Sequence, residues 1–254
     1  MGDLQDKARE HDRYEMRAKS IIERAVCSAM DQEISIWLIK PYQYFENVID
    51  SLSLGPRSRI LEIGAGTGFL TNILVKTGSS VTATDISEKS LIVLSSRLKD
   101  AKKLETKVAD MEFLPFNDEE FDLVCCAGSL SYGDNHLVMK EIYRVLNPGG
   151  IFLCVDSLNH NPIYRLNRWF HFLCGRRTKS TLLRMPTLSL INTYDRCFGY
   201  QTVKYFGAIV WLSPILNFLL GSKITAYCIE RFDKLIDVKE SAFKFVMVCR
   251  KVNR

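Results

Sequence analysis

The sequence predicts an α/β fold: a doubly wound, mostly parallel seven-stranded sheet with an N-terminal helical segment and a helical insertion after the fifth strand. Three observations support this prediction. Short apolar strands alternate with helical patterns from residue 59 to residue 155, and such alternation is typical of a parallel sheet covered by helices on both faces. A glycine-rich loop joins the first strand to the next helix, and an apolar strand closes the chain. We therefore expect one domain over residues 1–254.

Residues 1–55 are expected to form N-terminal helices. Residues 1–24 carry twelve charges of both signs, which indicates a solvated leading helix or a partly disordered arm. From 34 to 54 apolar residues recur at helical spacing, and Pro41 allows a break between two helices. The charged N-terminus has no apolar stretch typical of a signal peptide, so we expect a cytoplasmic protein.

Residues 56–157 are expected to form a ligand-binding core, 158–197 an insertion, and 198–254 C-terminal strands and helices. The predicted strands are 59–63, 80–84, 105–108, 121–126, 151–155, 200–206 and 242–249. In the last third, Ser213 and Pro214 start a short apolar helix that Gly221 stops, and 224–236 forms a further helix. The most apolar window, 206–220, is shorter than the ~20 residues that cross a bilayer, so we expect no membrane span.

Composition excludes several classes of protein. A net charge of +5 is small for a dedicated nucleic-acid binder. The eight cysteines include no C-x-x-C pair, which favours buried free thiols in a reducing compartment over zinc sites or disulfides. We therefore expect no metal.

The loop after the first strand contains Gly64, Gly66 and Gly68. Such a loop lets backbone amides approach a ligand closely. A dinucleotide fingerprint would need its third glycine at position 69, where Phe69 stands. Glu62, two residues before the loop, would repel a phosphate. The pattern therefore favours a ligand with a positive charge and no phosphate.

This loop resembles the first motif of the class I S-adenosylmethionine-dependent methyltransferases, E/D-x-G-x-G-x-G. The matching residues are Glu62, Gly64, Gly66 and Gly68. Asp85, the segment 109–111, the strand 121–127 and the loop 145–150 match further motifs in the family's order, so the resemblance covers about residues 40–157. It implies the class I methyltransferase fold, S-adenosylmethionine as cofactor and an activity in EC class 2.1.1.

The resemblance also implies which residues hold the cofactor. Glu62 is expected to contact the methionine amino group through the loop, and Asp85 the ribose hydroxyls. The expected cofactor-binding residues are Glu62, Gly64, Ala65, Gly66, Gly68, Asp85, Ile86, Asp110, Met111 and Ala127. Two alternatives stay open: Asp85 could cap the following helix, and Asp110 could be a turn residue.

A hydroxyl or acidic carbon acceptor would need a base. Candidates should follow the fourth and fifth strands, because open parallel sheets bind ligands beyond those ends. His160 is the first choice, since it follows a strand end and its intrinsic pKa lies near neutrality. Tyr132 and His136 follow the fourth strand and rank next. The alternative for His160 is a solvated loop residue.

The insertion is basic. Between Ser157 and Tyr194 there are six Lys or Arg residues and no acidic residue, and Arg176, Arg177 and Lys179 are the expected substrate-binding residues. This charge favours an anionic acceptor, such as a sugar or lipid-linked glycan precursor, or peripheral contact with an anionic membrane surface at the inner face. The alternative is arginines lying over an apolar face.

The sequence thus predicts a methyltransferase of biosynthesis acting on a small-molecule, sugar or glycan-precursor acceptor. A methyltransferase acting on a quinone or other lipid at the membrane surface is the alternative, and a non-catalytic cofactor-binding module is a third class. Nucleic acid is not an expected partner, because no Asn/Asp-Pro-Pro-Tyr motif follows the fourth strand. The oligomeric state stays open.

Overall fold

One seven-stranded sheet organises the chain, which a computed structural model describes over residues 2–23, 34–175, 178–235 and 238–252. The strands are β1 Arg59–Ile63, β2 Ser80–Asp85, β3 Leu104–Val108, β4 Phe121–Ala127, β5 Leu146–Ser157, β6 Gly199–Phe206 and β7 Lys244–Lys251. Their order in the sheet is β3-β2-β1-β4-β5-β7-β6. β7 pairs antiparallel with β5 and β6, and the other pairs are parallel. The predicted fold class is confirmed.

Helices lie before, between and after these strands. The α-helices are α1 Gly2–Glu23, α2 Lys40–Ser51, α3 Thr71–Leu74, α4 Glu88–Arg97, α5 Asn135–Val145, α6 Pro162–Leu173, α7 Lys179–Leu183, α8 Leu188–Phe198 and α9 Ser213–Leu235. Short 3-10 helices occupy Ile36–Leu38, Val75–Thr77, Leu130–Tyr132 and Val210–Leu212. Local chemistry sets several starts: the Asp134 carboxylate caps α5, and Asn161 caps α6 just before Pro162.

The core lies on both faces of the sheet because each central strand is apolar on both sides. On β4, Leu123 and Cys125 pack against α2 and α3 on one face. Val124 and Cys126 pack on the other face with residues of α5 and α8. This two-sided burial explains why the strands are continuous apolar runs rather than alternating ones.

Several predicted boundaries differ from the structure. β5 begins at Leu146 and not at Ile151, because the β4–β5 register moves from Phe121↔Leu146 to Leu123↔Ile151 and accommodates three extra residues on β5. The helix after the glycine loop is only α3, a single turn that continues as a 3-10 turn. The two helices predicted around Gly221 are confirmed as the two halves of α9, because the φ of 77° and ψ of 165° at that glycine are not helical.

The predicted solvated N-terminal helix, α1, packs against α4 and α7. The Ser180 N–H donates to Asp6, the Thr181 hydroxyl to Glu10 and the Ser87 hydroxyl to Glu15. These contacts place one face of α1 over the ends of β1, β2 and β4. They make α1 a wall of the site described next.

Candidate functional site

A cavity of about 260 Å³ opens where the carboxyl ends of β1, β2 and β4 meet. The order of these strands changes direction beside β1, and such a point in an open parallel sheet leaves a crevice for a ligand. Loops after the three strands form its floor, and α1 covers it.

The glycine loop forms part of the floor, and its first two glycines serve it in different ways. A Cβ on Gly64, which has a φ of 67°, would lie 2.5 Å from the Ser129 Cβ. Gly66, with a φ of 55°, has no protein atom within 4 Å of where its Cβ would stand. The first glycine therefore allows two loops to pack together, whereas the second leaves open space at the cavity.

Asp85 ties the loop after β2 to the glycine loop. Its Oδ2 accepts the Gly66 N–H at 2.8 Å, and its Oδ1 accepts the Ser87 N–H at 2.9 Å. Burial raises the pKa of Asp85, although these backbone hydrogen bonds oppose the shift. The N-cap of α4 is Ser87, which accepts the Ser90 N–H. Asp85 is thus not the cap, and its carboxylate lines the cavity.

Glu62 is an acid in a buried position on β1. It is 2% exposed, and its Oε2 accepts a hydrogen bond of 2.6 Å from the Thr71 hydroxyl. Burial raises the pKa of Glu62 to about 8, against the effect of that hydrogen bond. The residue also lines the cavity. A cation bound there would favour the charged carboxylate.

Asp110 and Met111 form the wall beyond β3. Asp110 Oδ1 accepts the Glu112 N–H at 2.9 Å, and Asp110 also pairs with Lys7 of α1 at 2.9 Å. Asp110 is therefore both a turn residue and a lining residue. Nine of the ten predicted cofactor-binding residues line the cavity, and Gly68 does not.

Helix α1 supplies lining residues, none of which is among the predicted cofactor-binding residues. They are Lys7, Glu10, His11, Tyr14 and Arg17. The Tyr14 hydroxyl donates to the Tyr132 hydroxyl at 2.6 Å, and the two rings meet edge to face. The helical spacing of these five residues places them on one face of a helix. Because most of them are charged, the sequence alone indicates a solvated face.

The predicted bases lie in different places. Tyr132 lines the cavity, whereas His136 and His160 are exposed and are not among its lining residues. Asp156, beside the end of β5, is buried and accepts the Leu130 and Ser157 N–H groups. Lys179 is exposed at the start of α7, and Arg176 and Arg177 lie outside the described residues.

The side chains that line the cavity fit S-adenosylmethionine. Glu62 can receive an ammonium group, Asp85 can accept from ribose hydroxyls, and Ile86 and Met111 offer apolar atoms for a base. In the described part of the chain, no group of three His, Cys, Asp or Glu residues is arranged to hold a metal ion.

Known proteins point to the same family. Residues 61–154 match the family described as methyltransferase domain. A demethylmenaquinone methyltransferase of Clavibacter sepedonicus is 38% identical over 42% of this chain and 44% of its own. A sterol 4-C-methyltransferase of Caenorhabditis elegans is 25% identical over 78% and 64%. The chain thus spans about half to two thirds of the length of these relatives.

A solved structure shows the same fold. Geranyl diphosphate C-methyltransferase from Streptomyces coelicolor, in complex with S-adenosyl-L-homocysteine, has a TM-score of 0.58 and 15% identity, covering 85% of this chain and 81% of its own. Three observations indicate the same type of domain. They are the order of the strands, the glycine loop with its buried acid, and the match to the family. Residues 61–154 of this chain therefore match the methyltransferase domain family, and the order of the sheet agrees with the class I S-adenosylmethionine-dependent methyltransferase fold.

Proposed function

We propose that the protein transfers a methyl group from S-adenosylmethionine to an apolar acceptor, such as a quinone or another lipid. The proposal depends on one observation, a cavity with an acidic part and an aromatic part. Its floor has the acids Glu62 and Asp85 beside the glycine loop, and its outer wall has four aromatic rings. These rings belong to Tyr14, Tyr42, Phe69 and Tyr132.

The acids on the floor hold and orient the cofactor. A buried carboxylate at Glu62 attracts an ammonium group and is stabilised by it in return. Asp85, already fixed by Gly66 and Ser87, presents its oxygens without further ordering. The cofactor, once bound, supplies an electrophilic methyl carbon with a neutral thioether as leaving group.

The aromatic wall suits a flat or apolar acceptor. Tyr42 and Phe69 meet edge to face at 5.3 Å between ring centroids, and Tyr14 and Tyr132 at 5.5 Å. Rings locked in such pairs lose little entropy when a ligand packs on them. Holding the acceptor in line with the methyl carbon is the main contribution the chain makes, and positioning of this kind can be worth ~7–11 kcal/mol.

Tyr132 is the predicted base that the proposal keeps. The Tyr14 hydroxyl donates to the Tyr132 hydroxyl at 2.6 Å, which leaves the Tyr132 proton available for another acceptor. The Tyr132 hydroxyl is then held in place and can hydrogen-bond to an acceptor oxygen in the cavity. His160 and His136 stay predictions without a position in this cavity.

The relatives support an apolar acceptor. Two of their names specify apolar acceptors, demethylmenaquinone and a sterol, and a third specifies geranyl diphosphate, which joins an apolar chain to an anionic diphosphate. The sugar or glycan-precursor acceptor stays a prediction, because it depends on the arginines outside the described residues.

The test is a screen with methyl-labelled S-adenosylmethionine. The protein is incubated separately with a demethylated quinone, a sterol, a prenyl diphosphate and a nucleotide sugar. We expect label in the demethylated quinone, the sterol or both, and clearly less label with Asp85→Ala, whose cofactor affinity is lower. Label only in the nucleotide sugar or only in the prenyl diphosphate would contradict an uncharged apolar acceptor and support an anionic one. No label in any acceptor, with cofactor binding intact, would favour a non-catalytic binding module.

A further inference from the structure

Helix α6 turns its apolar stripe outward. The inner side of the helix buries Tyr164 and Arg168. The opposite side exposes large apolar residues at helical spacing: Ile163, Leu166, Trp169, Phe170 and Leu173. Amphipathic helices of globular domains normally bury the apolar stripe. Each side chain of this stripe is instead between 44% and 65% exposed.

Helix α9 exposes a second apolar stripe around its kink. Phe218 is 88% exposed, and Ile215, Leu219 and Leu220 are exposed beside it. Ile224 and Tyr227 continue the exposed surface after Gly221. The buried side of the helix is formed by Ser213, Thr225 and Ile229. We call the exposed apolar residues of α6 and α9 the apolar surface.

The two helices are joined at their buried sides. The Tyr164 hydroxyl of α6 donates to the Gly207 carbonyl at 2.7 Å and accepts the Trp211 N–H at 3.1 Å, just before α9. Tyr164, Val210 and Ile229 form one buried cluster. The apolar surface is therefore carried by a rigid pair of helices, not by a loose segment.

The charge around the apolar surface is positive. No acidic residue occurs from 157 to 194 or from 206 to 229. Arg165 of α6, Lys179 of α7 and Lys223 of α9 are exposed. Arg168, by contrast, is buried and donates to the Leu158 carbonyl at 2.7 Å, so it belongs to the fold and not to this surface.

We propose that the apolar surface docks on an anionic lipid bilayer, with α6 and α9 lying in the interface. An interfacial helix combines an exposed apolar stripe with basic flanks and aromatic residues at the polar boundary. The exposed rings of Trp169, Trp211 and Tyr227 fit that boundary. The proposal does not depend on the proposed methyl transfer, although docking would bring the cavity to a lipid acceptor.

The geometry favours lying in the interface over crossing the bilayer. By length and composition the stretch Val210–Leu235 could span a membrane. However, Gly221 has a φ of 77° and a ψ of 165°, which breaks the 23-residue helix. Neither half then reaches the ~20 residues of a span, and the second half carries Glu230 and Asp233.

Charge also argues against a second copy as the occupant. A two-fold dimer places the same patch against itself. That arrangement would bring Arg165 and Lys223 towards their own counterparts, with no acid in these segments to offset them. Anionic headgroups complement the surface instead.

The test is co-sedimentation of the protein with vesicles, without cofactor or acceptor. Vesicles of phosphatidylcholine alone are compared with vesicles containing about a third phosphatidylglycerol, at ~0.1 M salt. We expect binding to the anionic vesicles, and at least roughly tenfold weaker binding for Phe218→Asp and for Phe170→Asp, since each change removes one large apolar side chain from the interface. Arg165→Gln with Lys223→Gln should weaken binding to the anionic vesicles and make it less sensitive to salt.

The matched control is Ile92→Asp on α4, where the side chain is 54% exposed, close to the 58% of Phe170. This variant should bind vesicles like the wild type. Cofactor binding measured by calorimetry should be equal in all variants, which shows that they fold.

The proposal is overturned if the wild type binds neither kind of vesicle, or if Phe218→Asp and Phe170→Asp bind like the wild type. It is also overturned if light scattering shows a dimer that Phe218→Asp dissociates while vesicle binding is unchanged. None of these results bears on methyl transfer, which the labelled-acceptor screen measures separately.

Discussion

Asp85 illustrates how one side chain serves both the fold and the site. Both of its oxygens accept backbone N–H groups, from Gly66 and Ser87, and the same carboxylate faces the cavity. We expect Asp85→Ala to weaken S-adenosylhomocysteine binding by at least tenfold, because each hydrogen bond to a charged group contributes ~1.5–3 kcal/mol. Isothermal calorimetry measures the affinity. Asp50→Ala, an exposed acid on α2, is the control and should bind normally; equal affinity in both variants would contradict the assignment.

Glu62 links the stability of the cofactor-free protein to pH. Its pKa is about 8 in the folded protein against the usual 4.5, so between these values the folded chain keeps a proton that the unfolded chain releases. Stability should therefore fall as pH rises from about 5 to 8. Because Glu62→Gln stays neutral, we expect it to lose less stability over this range, by a few kcal/mol at about 1.4 kcal/mol per pKa unit.

Urea unfolding at pH 5 and pH 8 gives the free energies for this comparison. Glu105→Gln replaces an exposed acid on β3 and should follow the wild type. If the pH profiles of the wild type and Glu62→Gln were parallel, Glu62 would be ionised in the empty site. Since a bound ammonium group favours the charged form, cofactor binding near pH 7 should also release a proton in the wild type and none in Glu62→Gln.

At the scale of elements, α1 is the cover of the site. It contributes Tyr14 to the outer wall, and Glu15 fastens it to the start of α4 by accepting the Ser87 hydroxyl at 2.8 Å and the Lys89 N–H at 3.1 Å. We expect Glu15→Ala to release bound S-adenosylhomocysteine several-fold faster, because the cover loses its hydrogen bonds to α4. Stopped-flow displacement measures the rate. Met16→Ala, which changes a neighbouring exposed side chain, should not alter it; an unchanged rate in Glu15→Ala would mean that α1 does not gate release.

The elements also show what a sequence can predict. The strands were predictable because their apolar runs and glycine turns are local signals, and the cofactor motif lies within one such stretch. The role of α1 could not be predicted, because its charged face has the pattern of a solvated helix. Only the fold shows that Tyr132 and Asp110 lie against that face. Similarly, the exposed stripe of α6 looks like an ordinary buried stripe in the sequence, since helical periodicity does not indicate which side meets the core.

At the scale of the whole molecule, the cavity depends on residues far apart in the chain. Gly64, Asp85 and Tyr132 follow three different strands, and Tyr14 comes from the N-terminal helix. A ligand that contacts all four binds only when the sheet and α1 are assembled. We therefore expect cofactor binding to stabilise the protein as one unit.

The three tryptophans allow this expectation to be tested. Trp37, Trp169 and Trp211 lie outside the cavity, near or within the cluster beside α6 and α9, so their fluorescence reports on the side of the molecule that carries the apolar surface. Circular dichroism reports on the helices together. If the domain unfolds cooperatively, both signals should give one melting temperature.

S-adenosylhomocysteine at a hundred times its dissociation constant adds ~2.7 kcal/mol, which should raise both melting temperatures by roughly 5–10 °C. Asp85→Ala, which binds at least tenfold more weakly, should lose about half of this shift or more at the same ligand concentration. A rise in the dichroism transition alone would instead show that the α6 and α9 side unfolds independently of the cofactor site.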